Sequence, residues 1–377
     1  MRASAPPHLL HVFSTFALGG PQRRFIQIAN AFGSRYRHTI IAMDGRTEAA
    51  AGLAQDVRVA IHPLPVVKGG GLSPANLRRI AGLRRSLRPD LLLTYNWGAI
   101  EWVLANRLPG AVPHLHFEDG FGPEEANGRQ LRRRVWTRRL GVGGRTSMVV
   151  PSRTLDAIAR QTWRIAPARL HYIPNGIELA RFADAEPMPL PFGPDRLVIG
   201  SVGALRAEKN LPRLLRLLAA VRDLPAVLAI CGGGPERERL EAEARRLGLA
   251  ERVHFAGHCS DPAAAYAAFD LFALTSDTEQ MPYSVIEAMA AGLPVVATDV
   301  GDVRHMLAPD CAAQCTAAPA DEAGLAMRLR RLLESKSAGA QTGSANQFHA
   351  RANFGIDRML ETYDRLFRAK TGAAAVS

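Results

Sequence analysis

Residues 270–299, DLFALTSDTEQMPYSVIEAMAAGLPVVATD, decide the fold class of this chain. The runs DLFALT and PVVATD are short and apolar, which is typical of buried strands. Between them, VIEAMAA is an apolar helical stretch, and Pro282 just before it favours a helix start. A strand, a helix and a second strand in this order form the repeating unit of a parallel sheet covered by helices.

The same alternation extends over both halves of the chain. Ten further strand-like runs precede this unit, namely LLHVFS, HTIIAM, VRVAIH, DLLLTY, VPHLHF, MVVPS, LHYIPN, RLVIGSV, AVLAIC and RVHFAG. Residues 186–195, EPMPLPFGPD, interrupt the series, because proline is excluded from helix interiors and central strands. The sequence therefore predicts an α/β protein with two doubly wound domains, residues 1–185 and 186–349, joined by this Pro-rich stretch.

The last periodic stretch, FGIDRMLETYDRLFRA, predicts a closing helix at about residues 350–370. Phe354, Met359, Tyr363 and Leu366 fall near one face of it, and we expect the helix to return to the first domain. No run reaches the roughly 18 apolar residues that a membrane span needs. The start of the chain fits a first strand better than a secretory signal, so we expect a cytoplasmic protein.

The net charge of +12 is distributed unevenly. Residues 1–185 carry 26 Lys and Arg against 12 Asp and Glu, whereas residues 186–377 carry 21 against 23. The densest basic patch is GRQLRRRVWTRRLG, with six arginines from Arg129 to Arg139 and no acid. As a helix ending at Gly141, it places on one arc Arg129, Arg132, Arg133, Trp136, Arg139 and Leu140. This mixture predicts either an interfacial face for an anionic membrane or a solvated, acceptor-binding helix.

Several classes of protein are disfavoured by what the sequence lacks. No strand-to-helix junction carries GxGxxG or GxxxxGK[ST], so a nicotinamide enzyme or a P-loop NTPase is not expected. The four cysteines form no CxxC pair and have no matching histidine pair, so we predict neither a metal site nor a cofactor. Aromatic residues are too scarce, at 6%, for the stacking platforms of a nucleic-acid-binding protein.

Two junctions could bind phosphate. Gly19 and Gly20 follow the first strand, where backbone N–H groups could approach a phosphate or sugar, although a plain tight turn would look the same. Arg206 and Lys209 follow the first strand of the second half, at the sheet edge where open α/β sheets bind ligands. The pair suits a diphosphate, and a solvated surface pair is the alternative.

Glu279 and Glu287 lie eight residues apart on either side of the helix start. Ser284 and Glu287 have the spacing of a capping box, so Glu287 could be structural. Alternatively, Glu279 could bind sugar hydroxyls and Glu287 ribose hydroxyls. The backbone N–H groups around Tyr283 and Ser284 would then face phosphates, helped by the helix dipole.

This segment resembles the signature of the family-four GT-B retaining glycosyltransferases, the glycosyl transferases group 1, which have paired glutamates before an AMAxGxPVVAT stretch. Most members read Glu-Gly-Phe where this chain has Glu279, Gln280 and Met281. The likeness covers nearly the whole chain, through the glycine pair, YIPNGIELARF, VGALRAEKN, CGGGPERERLE, VHFAGH and the closing helix.

The resemblance implies two Rossmann-like domains facing a central cleft, with the C-terminal helix returning to the first. It also implies that Arg206 and Lys209 stabilise the donor diphosphate, Glu279 contacts the transferred sugar and Glu287 holds the ribose. The family uses a histidine at the end of a first-domain strand, and His116 occupies that place. The expected donor set is completed by Gly19, Gly20, Gly233, Gln280, Met281, Pro282, Tyr283 and Ser284. The expected acceptor side comprises Asn96, Glu118 and Asp119.

The reaction that the resemblance implies is front-face transfer of a hexose from a UDP or GDP sugar, without metal. The expected acceptor is a glycan or a lipid-linked, membrane-proximal molecule in cell-surface polysaccharide or glycolipid synthesis. The enzyme would then be cytoplasmic and peripheral on the inner face of the membrane. Two alternatives share the architecture, namely a non-hydrolysing sugar-nucleotide epimerase and a non-catalytic homologue that binds sugar or nucleic acid.

Overall fold

The computed structural model describes residues 5–63, 73–121, 125 and 130–372. It divides into two compact units, one formed by the chain up to Pro174 and from Arg358 onward, the other by Asn175–Asp357. The predicted boundary at Glu186 therefore lies inside the second unit. The reason is that the Pro-rich stretch packs on the second unit. The N–H of Met188 donates to Ala264 O at 2.9 Å, and Leu190 and Phe192 lie against an apolar core of that unit.

The first unit is built on a parallel sheet of seven strands in the order β3-β2-β1-β4-β5-β6-β7. Its strands are β1 (His8–Phe13), β2 (Arg37–Ala42), β3 (Arg58–Ile61), β4 (Leu91–Tyr95), β5 (His114–Phe117), β6 (Thr146–Val150) and β7 (Leu170–Tyr172). Its α-helices before the second unit are α1 (Gly20–Phe32), α2 (Pro74–Leu87), α3 (Ile100–Ala105), α4 (Arg132–Gly141) and α5 (Arg153–Gln161). Strands β1, β4, β5 and β6 are buried along their whole length, as the continuous apolar runs predicted.

The second unit has a parallel six-stranded sheet in the order β10-β9-β8-β11-β12-β13. Its strands are β8 (Leu197–Val202), β9 (Ala226–Cys231), β10 (Val253–Gly257), β11 (Leu271–Leu274), β12 (Val295–Thr298) and β13 (Thr316–Ala317). Its helices are α6 (Leu179–Ala183), α7 (Leu211–Ala220), α8 (Arg237–Arg246), α9 (Pro262–Ala267), α10 (Tyr283–Ala290), α11 (Val303–Met306), α12 (Pro309–Cys315), α13 (Glu322–Glu334) and α14 (Lys336–Asn353). Residues of α7, α8 and α13 form one apolar core of this unit, and residues of α9, α10 and α14 belong to another.

The last helix, α15 (Ile356–Thr371), packs on the first unit. The Tyr363 ring lies 6.1 Å from that of Phe117, and Lys370 Nζ donates to Ser147 Oγ at 2.8 Å. Met359, Tyr363 and Leu366 are buried on the face that the periodicity predicted. Among the described residues, no helix combines the length and the apolar character that crossing a membrane requires.

Each sheet reverses its strand order once, and the position of the reversal predicts the edge at which a ligand binds. The reversal falls at the adjacent strands β1 and β4 in the first sheet and at β8 and β11 in the second. Open parallel sheets bind ligands beyond the carboxyl ends of the strands at such a reversal. The two expected ligand edges are therefore the loops after β1, β4 and β5 and the loops after β8, β9 and β11.

Candidate active site

A cleft opens at the strand reversal of the second sheet. It is lined by residues that end β8 and β11 and by the turn that follows β8, including Gly203, Lys209, Thr275 and Ser276. The adjacent loop after β9 is Gly-rich and approaches closely: a Cβ on Gly232, whose φ is 150°, would lie 1.8 Å from Gly203 O. Only glycine fits there, so the glycine run shapes this edge of the cleft.

Lys209 and Glu279 meet at this cleft from separate loops. Lys209 Nζ contacts Glu279 Oε1, and the same oxygen accepts from Ser276 Oγ at 2.8 Å. Both side chains are largely covered but reach solvent. The fold thus brings together a predicted diphosphate ligand and a predicted sugar ligand that are 70 residues apart in sequence.

Arg206 belongs to the same turn but has a different setting. It precedes a short 3-10 turn over Ala207–Lys209, and its side chain is 60% exposed. The nearest carboxylate is that of Glu208, at 4.0 Å. An exposed pair at this distance contributes little, so the guanidinium group can reorient toward a ligand.

The segment after Glu279 is braced by the loop that follows β12. The N–H of Asp302 donates to Gln280 O at 2.8 Å. Gly301 has a φ of 56°, and a Cβ there would lie 2.2 Å from Glu279 O. Asn175 Nδ2 donates to Met281 O at 3.0 Å, which ties the segment to the residue at which the second unit begins.

Gln280 and Met281, predicted to contact the donor, are buried. Met281 belongs to the apolar core that includes residues of α9, α10 and α14. The contact of both side chains with a donor stays a prediction. The α10 helix begins at Tyr283, with Pro282 at the N-cap and no side-chain cap hydrogen bond. Tyr283 and Ser284 are half-buried at the helix start, so their backbone N–H groups remain candidates for a phosphate.

The structure decides against one of the two interpretations of Glu287. Ser284 lies inside α10 rather than at its N-cap, so the predicted capping box is not formed. Glu287 is 2% exposed, and its Oε2 accepts from Tyr266 Oη at 2.8 Å. The ribose contact stays a prediction, with Tyr266 as a residue that sequence reasoning did not find.

In the first unit, Gly19 is the N-cap of α1 and Gly20 is its first residue. The N–H of Arg23 donates to Gly19 O at 2.8 Å, and Gln22 Nε2 donates to Thr15 O at 2.7 Å. The first turn of this helix therefore follows the carboxyl end of β1, as predicted. Gly20 is exposed and Gly19 is half-buried there.

Asn96 and Asp119 come together at the ends of β4 and β5. Asn96 Oδ1 accepts from the N–H of Asp119 at 2.7 Å, and Asn96 has a left-handed φ of 57°. The carboxylate of Asp119 receives two hydrogen bonds from Arg24, at 2.5 and 3.0 Å. Arg24, on α1, was not predicted. The signal available was its position one turn into the helix that follows the glycine pair.

His116 and Glu118, also predicted to meet substrates, are interior side chains in this structure, and their contact with a substrate stays a prediction. Both are 0% exposed. His116 Nδ1 lies 2.8 Å from Thr94 Oγ1, and its Nε2 lies 3.0 Å from Glu118 Oε2. Residues alternate faces along a strand, and in a central strand both faces are buried.

Glu118 is the centre of a buried ionic network. Its Oε1 accepts from Arg138 Nη2 at 2.7 Å. Burial by itself would raise the pKa of Glu118, but the charge of Arg138 and the hydrogen bonds from His116 and Arg138 lower it to about 2. The carboxylate is therefore ionised and structural. Glu125 extends the network, with Oε2 at 3.0 Å from Arg134 Nη1.

The arginines of the basic patch divide between two faces of α4. Arg134 and Arg138 are buried, whereas Arg132 and Arg133 are exposed together with Trp136 (56%) and Leu140 (65%). Arg139 is half-buried, donates to Thr162 O at 2.6 Å and stacks 5.0 Å from the centre of the Trp136 ring. Arg129 lies outside the described residues. Of the residues predicted to share one arc of this helix, four are exposed, namely Arg132, Arg133, Trp136 and Leu140.

Comparisons with known proteins agree with this organisation. Residues 18–181 match the model described as Glycosyltransferase Family 4, and residues 184–349 match Glycosyl transferases group 1. The chain is 27% identical to a 2-deoxystreptamine N-acetyl-D-glucosaminyltransferase of Streptomyces fradiae, over 76% of each protein. It is 32% identical to a GDP-mannose-dependent alpha-mannosyltransferase of Mycolicibacterium smegmatis, over 61% of each. The matched share of each curated relative's own length varies from 32% to 76%.

The structure of Anabaena HepE in complex with UDP and glucose is similar to this chain, with a TM-score of 0.75 and 19% identity. The likeness covers 96% of this chain and 99% of HepE. At this identity the similarity concerns the fold, which is two parallel-sheet, Rossmann-like domains of the GT-B type.

Proposed function

The chain belongs to the family-four GT-B glycosyltransferases, and from that premise we propose that it is a retaining, metal-independent hexosyltransferase. It takes a sugar from a nucleotide-diphosphate donor and transfers it to a glycan or lipid-linked acceptor near a membrane. The observation that carries the proposal is the meeting of Lys209 and Glu279 at the strand reversal of the second sheet.

The donor is bound by the second unit. Lys209 and Arg206 hold the diphosphate, since an ammonium and a guanidinium group on one turn can neutralise several oxygens of a leaving group. Glu279 accepts hydrogen bonds from hydroxyls of the transferred sugar, Glu287 from the ribose, and the first turn of α10 donates backbone N–H groups to phosphate. Gly233, which is exposed with no atom near its Cβ position, leaves room beside the donor.

The chemistry requires charge stabilisation more than a side-chain nucleophile. The bond between the anomeric carbon and the donor phosphate oxygen breaks as an acceptor hydroxyl attacks from the same face. Because attack and departure occur on the same face, the configuration is retained. The departing phosphate oxygen takes the acceptor proton, so no protein carboxylate has to gain or lose a proton. Negative charge accumulates on the diphosphate, where Lys209 and Arg206 act. These two cations make a metal ion unnecessary for leaving-group departure.

The names of similar proteins support a UDP or GDP sugar as donor. One relative is GDP-mannose-dependent, and HepE was solved with UDP and glucose. Of the residues predicted for the acceptor side we assign Asn96 and Asp119 to the acceptor, because they lie half-exposed at the strand ends whereas Glu118 is buried. Gly19 and Gly20 line the same edge.

The exposed arc of α4 supports a membrane-proximal acceptor. Arg132 and Arg133 flank Trp136 and Leu140 on a helix with no acidic residue. Basic residues near an anionic leaflet contribute about 1 kcal/mol each, and an exposed indole favours the headgroup region. The resulting attachment is reversible, as a peripheral enzyme of polysaccharide or glycolipid synthesis at the inner face of the cytoplasmic membrane requires.

The test begins with a thermal-shift panel of UDP and GDP sugars. A true donor at about 100 times its Kd stabilises the folded state by roughly 2.7 kcal/mol. The stabilising donor is then incubated with a detergent-solubilised glycolipid extract, with and without EDTA, and release of the nucleoside diphosphate is followed. Retained anomeric configuration in the product and activity in EDTA support the proposal. A panel with no stabilising nucleotide sugar, or an inverted product, contradicts it.

A further inference from the structure

Arg138 is the most completely enclosed charged residue of α4, and its contacts converge on the acceptor edge. Its side chain is 0% exposed. Nη2 lies 2.7 Å from Glu118 Oε1, and Nε lies 3.3 Å from Glu118 Oε2, a two-point contact that only a guanidinium group can make. The guanidinium carbon also lies 5.1 Å from the centre of the Trp97 ring and 4.6 Å from that of Trp163.

These contacts reach both strand-end loops of the acceptor edge. Trp97 directly follows Asn96 after β4, and Glu118 directly precedes Asp119 after β5. Asn96 and Asp119 are in turn hydrogen-bonded to each other. Arg138 therefore contacts the immediate neighbours, Trp97 and Glu118, of the two residues that the proposed function assigns to the acceptor.

Asp119 is also held by Arg24, on α1. The two hydrogen bonds from Arg24 fix the direction of the carboxylate, and the guanidinium group of Arg24 rests 5.2 Å from the centre of the Phe117 ring. A carboxylate offers about four acceptor positions, so those not used by Arg24 can accept hydroxyl protons. Backbone and side chain of Asp119 are thus both fixed, by different partners.

Stability alone does not account for the Arg138–Glu118 pair. Burying two charges costs about as much as their attraction returns, and apolar replacements of such pairs are often as stable or more so. Two hydrogen bonds between a buried guanidinium group and a carboxylate fix the relative position and orientation of the two side chains. Reactions between bound groups are sensitive to it, since a displacement of 1 Å can lower the rate by about a hundredfold.

We propose that Arg138 is a positioning residue for the acceptor, holding the loops of Asn96 and Asp119 in register so that Asp119 receives an acceptor hydroxyl group. The inference rests on the proposed transferase function. It assigns the buried face of α4 to acceptor positioning, separately from the exposed face assigned to the membrane.

The test compares two lysine substitutions at buried arginines of the first unit. Arg138→Lys keeps the charge but loses the two-point contact with Glu118. Arg84→Lys is the matched control, because Arg84 is equally buried but bonds Ala105 O, Asn106 Oδ1 and Pro109 O, in the chain that leads into the amino end of β5. Glu118→Gln, which is nearly isosteric, is a second route to the same loss should Arg138→Lys not fold.

Each variant is assayed below its melting temperature with the donor selected by thermal shift. Nucleoside diphosphate release is measured with the glycolipid extract, giving transfer, and without it, giving hydrolysis by water. We expect Arg138→Lys and Glu118→Gln to lower transfer by roughly 10- to 100-fold while hydrolysis and the donor Kd change less than threefold. Arg84→Lys should lower the melting temperature and leave the transfer-to-hydrolysis ratio unchanged.

Wild-type protein that turns over no nucleotide sugar contradicts the proposed function itself. Wild-type transfer with an unchanged ratio in Arg138→Lys and Glu118→Gln overturns only the positioning role. An equal loss of the ratio in Arg84→Lys also overturns it, because the effect would then follow from general destabilisation.

Discussion

The ammonium group of Lys209, which lines the cleft at the strand reversal of the second sheet, contacts Oε1 of Glu279. One residue follows β8 and the other follows β11, so the contact joins the two strands at which the order reverses. The proposed donor site therefore has a cation and a carboxylate in direct contact.

Replacing Lys209 or Arg206 by Ala should each lower kcat by about 100- to 1,000-fold, because the lost cation stabilises charge that develops on the leaving group. The fold should remain intact, since both groups reach solvent. Lys336→Ala, at an exposed lysine of the same unit, is the control. Steady-state kinetics and calorimetric melting measure the two effects. Turnover within threefold of wild type in either variant removes the diphosphate assignment.

Glu287 and Tyr266 can be separated by their effects on nucleotide binding. Glu287→Gln keeps an oxygen for the Tyr266 hydroxyl but loses the charge, so we expect the Kd for UDP or GDP to rise about tenfold with little change in melting temperature. Tyr266→Phe should instead lower stability by about 1 kcal/mol and leave the Kd unchanged. Titration calorimetry decides, and the opposite pattern would assign Glu287 to the core.

Gly301 should be the least replaceable residue of the brace behind Glu279. Gly301→Ala forces a Cβ to 2.2 Å from Glu279 O at a φ of 56°, so Glu279 must move. Gly45→Ala is the matched control, with a φ of 78° and no atom within 4 Å of the added Cβ. The left-handed backbone costs about 1–2 kcal/mol in both. Donor affinity should fall only in Gly301→Ala, and equal affinity in both variants would contradict the bracing role.

The first unit should lose stability in mild acid because of its buried histidines. Burial, and then the charge of His8, lower the pKa of His38 to about 4, and burial lowers the pKa of His11 well below its usual range. Between pH 6.5 and pH 4 the unfolded chain binds the proton that folded His38 does not. Stability is therefore complete above pH 6.5 and is lost as the pH falls, by about 2 kcal/mol from His38 between pH 7.5 and pH 5.

His38→Asn should make this pH dependence shallower in calorimetric melting from pH 7.5 to pH 5. His305→Asn, at an exposed histidine of the second unit, is the control and should leave it unchanged. A slope that is the same in wild type and His38→Asn would show that other groups cause the acid sensitivity.

The exposed face of α4 should bind anionic but not neutral vesicles. Replacing both Arg132 and Arg133 by Glu should abolish co-sedimentation. Each arginine contributes about 1 kcal/mol of attraction to the anionic surface, and each glutamate replaces that attraction by repulsion. High salt should release the wild-type protein, because the attraction is screened. The same double change at Arg78 and Arg79, an exposed pair on α2, is the control. Equal binding to neutral vesicles, or binding to neither, removes the membrane from the function.

The alternation of strands and helices was readable from the sequence because each central parallel strand must be apolar on both faces. All twelve predicted strand runs correspond to strands, and within the part of the chain that the structure describes only β13 was missed, since two residues carry no periodic signal. The first half of helix α14 is rich in Ala, Gly and Ser and carries no strong apolar periodicity. Small residues there permit close packing, as at Gly343, where a Cβ would lie 2.0 Å from Gly292 O.

The sequence by itself determined the two doubly wound sheets, the paired glutamates and the cations of the donor edge, because spacing along a strand–helix–strand unit places such residues at the carboxyl edge. Only the tertiary structure decided that His116 and Glu118 are interior while Asn96 and Asp119 are the residues at the edge. His116, Glu118 and Asp119 are consecutive or nearly so, and their exposure depends on where β5 ends and on which side chains of α1 and α4 cover it. Arg24 on α1 and Arg138 on α4 contact these residues from helices outside the β5 segment. No local sequence pattern predicts such contacts, because they depend on tertiary packing.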